Sequence, residues 1–335
     1  MLKKEFHLNR RLVIIILAGL VILAALLGVC LGAVNVSPID FIDALINGET
    51  TRMAYRIVMH VRLPRVLGGL LAGSALAVSG CILQSLLQNP LASPNVIGIN
   101  GGAGVCVLIC ASFFPAAFAM YPMVAFLGAL LTAILVYLIA MGSRSSKVTL
   151  ILTGIAVSSI TGAGMNFILT INPDAYVGAS DFLIGGLSGL TMKALQFVWI
   201  YILIGMICAF MLRRELNLIR LGQDTAKSLG LNVPVVRFLL LVSAALLAGA
   251  AISFAGMIGF VGLIIPHAMR FIIGHDNEYL VPASALAGAA FVILCDLVSR
   301  TAFAPYELPV GILLAFIGGP FFIYLVVRYR KAKRD

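Results

Sequence analysis

Charge is what this chain has least of. Only 11% of its 335 residues are Asp, Glu, Lys or Arg, against about a quarter in soluble domains. Residues 66–143 contain no charged residue at all. Such a stretch cannot form a water-facing surface, which excludes a soluble enzyme or a soluble binding domain. Acidic residues are the scarcer sign, 13 against 23 Lys and Arg. Ion-coupled carriers usually need an ionisable group deep in the membrane. Only Asp296 qualifies here, and Arg300 stands four residues on, so a plain i,i+4 pair accounts for it.

Catalytic motifs are missing too. There is no HExxH, no GxSxG and no GxxxxGK[ST] loop, so no zinc-hydrolase, serine-hydrolase or P-loop nucleotide site is written in the chain. The four His, at 7, 60, 267 and 275, have no ligand spacing. No metal site and no cofactor is implied, and His267 reads as a structural or capping residue. The six Cys lie in or at the ends of apolar runs without framework spacing, and read as small packing residues.

What remains is hydrophobic, 61% of the chain. The apolar runs are about 20 residues long and do not alternate, so they are helices rather than barrel strands. Ten spans are expected, at 12–34, 62–87, 96–114, 121–141, 148–171, 190–212, 235–256, 258–273, 280–297 and 308–327. The fold class is an all-α polytopic membrane protein, a single transmembrane domain. Ten spans put both termini on one side of the bilayer. With the termini inside, 17 of the 23 Lys and Arg lie inside and six outside, as the positive-inside rule requires. The net charge of +10 thus reflects orientation and needs no nucleic-acid partner. The first run reads as a retained helix rather than a cleaved signal.

Displacing the chain by 176 residues aligns 63–98 with 239–274 without a gap. Fourteen of those 36 positions are identical, where composition alone gives roughly four. Matched pairs include Gly73/Gly249, Gly80/Gly256, Pro90/Pro266 and Gly98/Gly274. The second and seventh spans run in opposite directions, so the repeat is inverted, with halves at about 62–171 and 237–327. One unit used in both orientations builds a path that opens to either side, a transporter signature. A repeat kept only for packing is the plainer alternative.

Three groups of polar residues stand out. Gln84, Asn89, Asn95 and Asn100 surround the run QNPLASPNVIGINGGAG, where prolines break a helix and glycines restart it. It reads either as a tight turn or as the edge of a translocation path, since broken backbone at that depth needs protein or a water-filled path around it. Arg62, Arg65 and Arg300 lie at outer helix ends, where they either anchor helices at the headgroups or pair with carboxylates of an external partner. Residues 213–237, RRELNLIRLGQDTAKSLGLNVPVVR, form a polar island. Leu221, Thr225, Leu229 and Leu218 fall on one face of two short helices punctuated by Gly222 and Gly230. A solvated linker needs no such face, whereas docking of a soluble subunit does.

Several stretches resemble the FecCD-type permeases of iron-siderophore and vitamin B12 ABC importers. They are RLPR at 62–65, GSALAVSGCILQSLLQNPLASPNVIGINGGAG at 73–104, LGQDTAKSLGLNV at 221–233, FAGMIGFVGLIIPHAMRFIIGHD at 254–276 and ELPVGILLAFIGGPFF at 307–322. The resemblance covers about 12–328. It implies the type II ABC importer permease fold, with ten helices per subunit. Two permease subunits, as a homodimer or paralogous heterodimer, would pair in the bacterial cytoplasmic (inner) membrane. Two ABC ATPase subunits would sit below and an extracytoplasmic substrate-binding protein above. It further implies binding-protein docking at Arg62, Arg65 and Arg300. ATPase coupling falls on Leu221, Gly222, Asp224, Thr225, Ala226, Lys227, Ser228, Leu229 and Gly230, within a cytoplasmic loop at 213–234. A gate falls at Ser145 and Ser146, and Met165 and Asn166 are path-lining candidates. Where the family often has Trp followed by Gly-Ser, this chain has Phe182, Gly185 and Gly186. The expected activity is import of a metal chelate, with a ferric siderophore ahead of haem and cobalamin. The chain itself is no enzyme. An ion-coupled secondary carrier and an intramembrane hydrolase are the rivals.

Overall fold

In lipid each backbone N–H and C=O must be satisfied inside its own segment, so uniformly apolar runs become helices. The computed structural model describes residues 9–32, 34, 36–48, 52–141 and 147–331, which are helical with no strand among them. In chain order the helices are α1 (Arg10–Cys30), α2 (Pro38–Ile46), α3 (Met53–Ile57), α4 (Leu63–Leu86), α5 (Ile99–Phe113), α6 (Tyr121–Met141), α7 (Lys147–Ile171) and α8 (Asp174–Ile184). Then come α9 (Met192–Leu195), α10 (Val198–Met211), α11 (Arg213–Arg220), α12 (Gln223–Ser228), α13 (Val233–Ala255), α14 (Val261–Ile273), α15 (Asn277–Thr301) and α16 (Val310–Lys331).

Seven segments are long and apolar enough to cross a membrane, and Ile99–Phe113, Val261–Ile273 and Val310–Leu325 are shorter apolar helices. Together they fall one to one on the ten expected runs. The second run differs most. Its helix starts at Met53 rather than near 62, because a π turn, Val58–Arg62, joins α3 to α4 without a break. Arg62 and Arg65 therefore lie inside a continuous helix, not at its end. Helix α2 was not expected and α8 was not separated from the loop around it. Both are short and of mixed composition.

α4 is the central helix, with 20 of its 24 residues buried. Small residues let it sink so deep. A Cβ on Gly73 would lie 2.2 Å from the Gly288 carbonyl oxygen of α15, and one on Gly80 would lie 1.8 Å from that of Gly262 in α14. α4 also packs on α13, antiparallel to it: Ser79 Oγ donates to the Ala244 carbonyl at 2.7 Å, while Gly68 lies beside Phe254. Exchanging α4 with α13 and α15 with α6 carries one set of neighbours into the other: matched Gly73 faces α15, and matched Gly249 faces Ala129 of α6.

The repeat's local structure diverges at the next matched pair. Gly80 is mid-helix, whereas Gly256 ends α13 at φ +70°, a conformation open to glycine. A five-residue break then leads into α14. In the other half the break comes later, as turns over 87–98, with α5 starting at Ile99 among the glycines. The 182–186 segment seals the Gly256 corner: Met257 N donates to Phe182 O at 2.8 Å, Gly186 N to Ala255 O at 2.9 Å, and Gly311 N to Gly185 O at 3.1 Å.

Candidate functional site

One end of the α4–α15 pair holds a buried charge cluster. Arg65 donates from Nε and Nη2 to Asp296 Oδ1, at 3.3 and 3.0 Å, and from Nη1 to Glu307 Oε2 at 2.7 Å. Arg300 Nε faces Asp296 Oδ2 at 3.4 Å, the i,i+4 pair that the spacing suggested. Its Nη2 donates to the Gly28 carbonyl at 2.5 Å. Arg62 donates to the carbonyls of Val29 at 2.9 Å and Cys30 at 2.6 Å, and to that of Val34. Those of Gly28, Val29 and Cys30 lie in the last turn of α1, where no helical N–H remains to meet them, and that of Val34 lies just beyond. The three arginines are only 2–4% exposed, so the structure does not offer them freely at the surface. Glu307, whose side chain is 38% exposed, is the open edge of the cluster. Sequence alone gave no sign that Glu307 joins it.

The polar island folds as the two short helices α11 and α12, with Gly222 at φ +115° between them and Gly230 at φ +83° after them. Ala226 is fully buried, as are Leu216 and Ile219 of α11. On the other side Leu221 and Leu229 stand 63% and 59% exposed, with Asp224, Thr225, Lys227 and Ser228 also exposed. The island thus presents an apolar edge that none of the described residues covers.

Beneath that edge lies a joint that sequence reasoning missed. Asn217 of α11 donates to Asp276 Oδ1 at 2.8 Å and accepts from Asn277 N at 2.9 Å and Nδ2 at 2.7 Å. Asp276 in turn caps α15, accepting from Glu278 N at 3.0 Å, and pairs with Arg10 at 3.1 Å. Gln88, just past α4, donates to the carbonyls of Ile219 at 3.1 Å and Arg220 at 2.8 Å. Ser85 Oγ donates to Asn277 Oδ1 at 3.0 Å. At the surface, Arg214 donates to Glu278 at 2.7 Å, and that hydrogen bond holds its guanidinium above the usual arginine range.

The break at 87–98 uses most of its polar side chains internally. Gln84 donates to the carbonyls of Gly262 at 3.0 Å and Leu263 at 3.3 Å and accepts from Arg270. Asn89 Oδ1 accepts from Leu91 N at 2.9 Å, an Asx turn. Asn100 is buried and reaches the Ile258 carbonyl at 3.5 Å. Asn95 and Gln88 are exposed. Met165 is half-buried, its sulfur packed over Gly104, whereas Asn166 is exposed. Asn166 shares one open face of α7 with Ser159, Ala163 and Thr170. The two hydroxyls on that face bond their own helix, Ser159 to Ile155 O at 3.0 Å and Thr170 to Asn166 O at 2.8 Å. Ser145 and Ser146 lie outside the described residues.

The sequence profile of the FecCD transport family matches residues 20–328. An iron(3+)-hydroxamate import system permease from Bacillus subtilis is 37% identical over 324 residues, 95% of this chain and 84% of that protein. A hemin transport system permease from Yersinia pestis is 35% identical, over 96% of this chain and 97% of its own length. A solved metal-chelate type ABC transporter in an inward-facing conformation superposes with a TM-score of 0.84 at 29% identity, covering 95% of this chain and 99% of that one.

Proposed function

Since this chain belongs to the FecCD transport family, we propose that it is the membrane-spanning permease subunit of an ABC importer that carries a ferric siderophore into the cytoplasm. A second permease subunit completes the path, a separate ATPase hydrolyses ATP, and a substrate-binding protein delivers the chelate. The observation that carries this reading is the uncovered edge of Leu221 and Leu229 on an island whose other face is pinned to α4 and α15. Exposed leucines on a polar loop are what a docking subunit covers. The same reading puts the island and both termini in the cytoplasm and the Arg65 end outside, with the binding protein meeting the cluster at Glu307.

The Ser159–Thr170 face of α7 is assigned to the translocation path. Its hydroxyls are spent on its own backbone, which leaves a surface of low polarity that does not grip a large chelate. Ferric siderophore leads because permeases named for ferric chelates, hydroxamate and citrate, recur among the similar relatives. Haem, carried by a comparably similar relative, is the first alternative, and cobalamin the second. The ion-coupled rival loses its one deep carboxylate, since Asp296 is engaged by both Arg65 and Arg300.

The test is purification of the tagged chain from its native membrane in mild detergent, followed by mass spectrometry, and uptake by the reconstituted importer. A stoichiometric P-loop ATPase is expected, with uptake of one of four radiolabelled chelates: ferric hydroxamate, ferric citrate, haem or cobalamin. Replacing Leu221 and Leu229 by Ser removes about 1.5–3 kcal/mol of apolar burial per side chain, so the ATPase should dissociate. A chain that purifies alone, with uptake abolished by a protonophore while ATP stays high, would refute the proposal.

A further inference from the structure

We infer that Asn217 is the positioning residue that joins the ATPase-facing island to the transport helices, and that it delivers the island's movement to α15 and α4. This rests on the importer reading above and goes beyond it. That reading places the ATPase contact on α12 and its flanks, residues 221–230. It leaves open how a push there reaches a membrane helix.

The chain offers two routes. One is covalent: the island continues into α13, whose start at Val233 follows Leu231 and Asn232 directly. The other is the polar joint. The covalent route is a hydrogen-bonded turn: Leu231 N donates to Ala226 O at 3.0 Å and Gly230 N to Lys227 O at 2.9 Å, with Gly230 at φ +83°. It leads to α13 and, among the described residues, makes no side-chain bond to α15.

The joint is built differently. Asn217 uses both ends of its amide, donating to the Asp276 carboxylate and accepting from both the backbone and the side chain of Asn277. Asn277 is fully buried, the first residue of α15. Its side-chain oxygen is already occupied by Ser85 of α4. Gln88 binds two carbonyls at the end of α11 from the other side. Four bonds from Asn217 and Gln88 reach the carboxylate and backbone groups. Leu216 and Ile219, fully buried on either side of Asn217, pack beside the buried Asn277, while Asp276 and Gln88 face partly to water. A hydrogen-bonded contact of this kind moves as a unit, because opening it leaves the buried Asn277 amide unpaired. α11 is therefore fastened to the α15–α4 pair as well as continuous with α13.

The experiment uses the assembled importer in liposomes, with its own ATPase and binding protein. Cargo is whichever of radiolabelled ferric hydroxamate, ferric citrate, haem or cobalamin the parent importer accumulates. The reading is the ratio of cargo taken up to ATP hydrolysed. Asn217→Ala should lower that ratio about tenfold, within the range for coupling between sites. Asn277→Ala should lower it similarly, and the double variant should be no worse than either single one, because all three remove the same joint. A purely structural role would lower uptake and hydrolysis by the same factor and leave the ratio unchanged. An unchanged ratio in assembled Asn217→Ala complexes therefore overturns the inference, as does an additive double variant. If Asn217→Ala does not assemble, Gln88→Ala tests the joint from the α4 side with the same two outcomes. Failure of the importer reading looks different: no ATPase would accompany even the parent chain.

Discussion

Removing Arg65 should cost the fold far more than removing Glu307, although both belong to one cluster. Arg65 and Asp296 have side chains 5% and 4% exposed and are linked through two nitrogens at 3.0 and 3.3 Å. Arg65→Ala leaves Asp296 buried with only Arg300 at 3.4 Å to balance it. Breaking one side of a buried pair costs roughly 3–5 kcal/mol. Glu307 is bound at a shorter 2.7 Å, yet its side chain is 38% exposed, and water screens it. Exposed pairs contribute about 0.2–1 kcal/mol, so Glu307→Gln should barely move stability. The joint replacement Arg65→Met, Asp296→Leu and Arg300→Met removes the three mutually paired buried charges and should recover most of the loss, since apolar residues of similar volume often substitute for a buried pair or triad at little cost. The assay is the midpoint of thermal unfolding in detergent, followed by size-exclusion. Arg65→Ala should fall sharply, Glu307→Gln should match the parent, and the triple variant should lie near the parent. If Arg65→Ala keeps the parent's midpoint, the cluster does not hold the fold and the argument from burial fails. The triple variant then isolates docking: a stable chain that no longer binds its delivery protein locates that contact at the charge cluster.

Two further outcomes follow from close packing and from the α7 face. Gly80→Ala puts a carbon 1.8 Å from the Gly262 carbonyl oxygen, and ordinary contact begins near 3.4 Å, so α4 and α14 must part by more than an ångström. Overpacking of that kind costs about 1–3 kcal/mol, whereas Gly162→Ala, in a helix with open space around it, should stabilise by about 0.5–1 kcal/mol. The same thermal assay reads both, and equal shifts would sink the packing argument. Ala163→Trp on the open face of α7 should block uptake without changing thermal stability, and normal uptake by that variant would remove α7 from the path.

The membrane spans were legible because lipid leaves the backbone no alternative to helix, and an uncharged run from 66 to 143 can go nowhere else. The break at 87–98 was legible from Pro90, Pro94 and the glycines after them, and the island's two helices from leucines on one face. The charge cluster was legible only in part. Arg62, Arg65 and Arg300 read as surface groups because arginine is seldom buried unpaired. Their acceptors are the carbonyls of α1 and a carboxylate 231 residues away. Pairings across such separations leave no mark in a single sequence. Asn217 was hidden for a simpler reason. An asparagine in a polar loop looks solvated, and its partners begin 59 residues later, across α13 and α14.

One pair of helices carries both ends of the molecule. α4 bears Arg65 at one end and Ser85 at the other, about 30 Å apart at the rise of an α-helix. α15 runs the other way, with Asn277 beside Ser85 and Asp296 beside Arg65. Between them Gly73 and Gly288 bring the two backbones into contact, so the pair has little freedom to slide or bend at its centre. A displacement imposed at the island through Asn217 therefore arrives at the charge cluster, and one imposed at the cluster arrives at the island. Coupling between sites is reciprocal by thermodynamic necessity. If the rod is rigid, what stabilises the cluster in one position must favour one position of the island. Loosening the middle should then uncouple the ends while both remain intact. Gly288→Ala, whose added carbon would meet the Gly73 carbonyl at 2.3 Å, is the variant that separates the two helices without touching either cluster or joint.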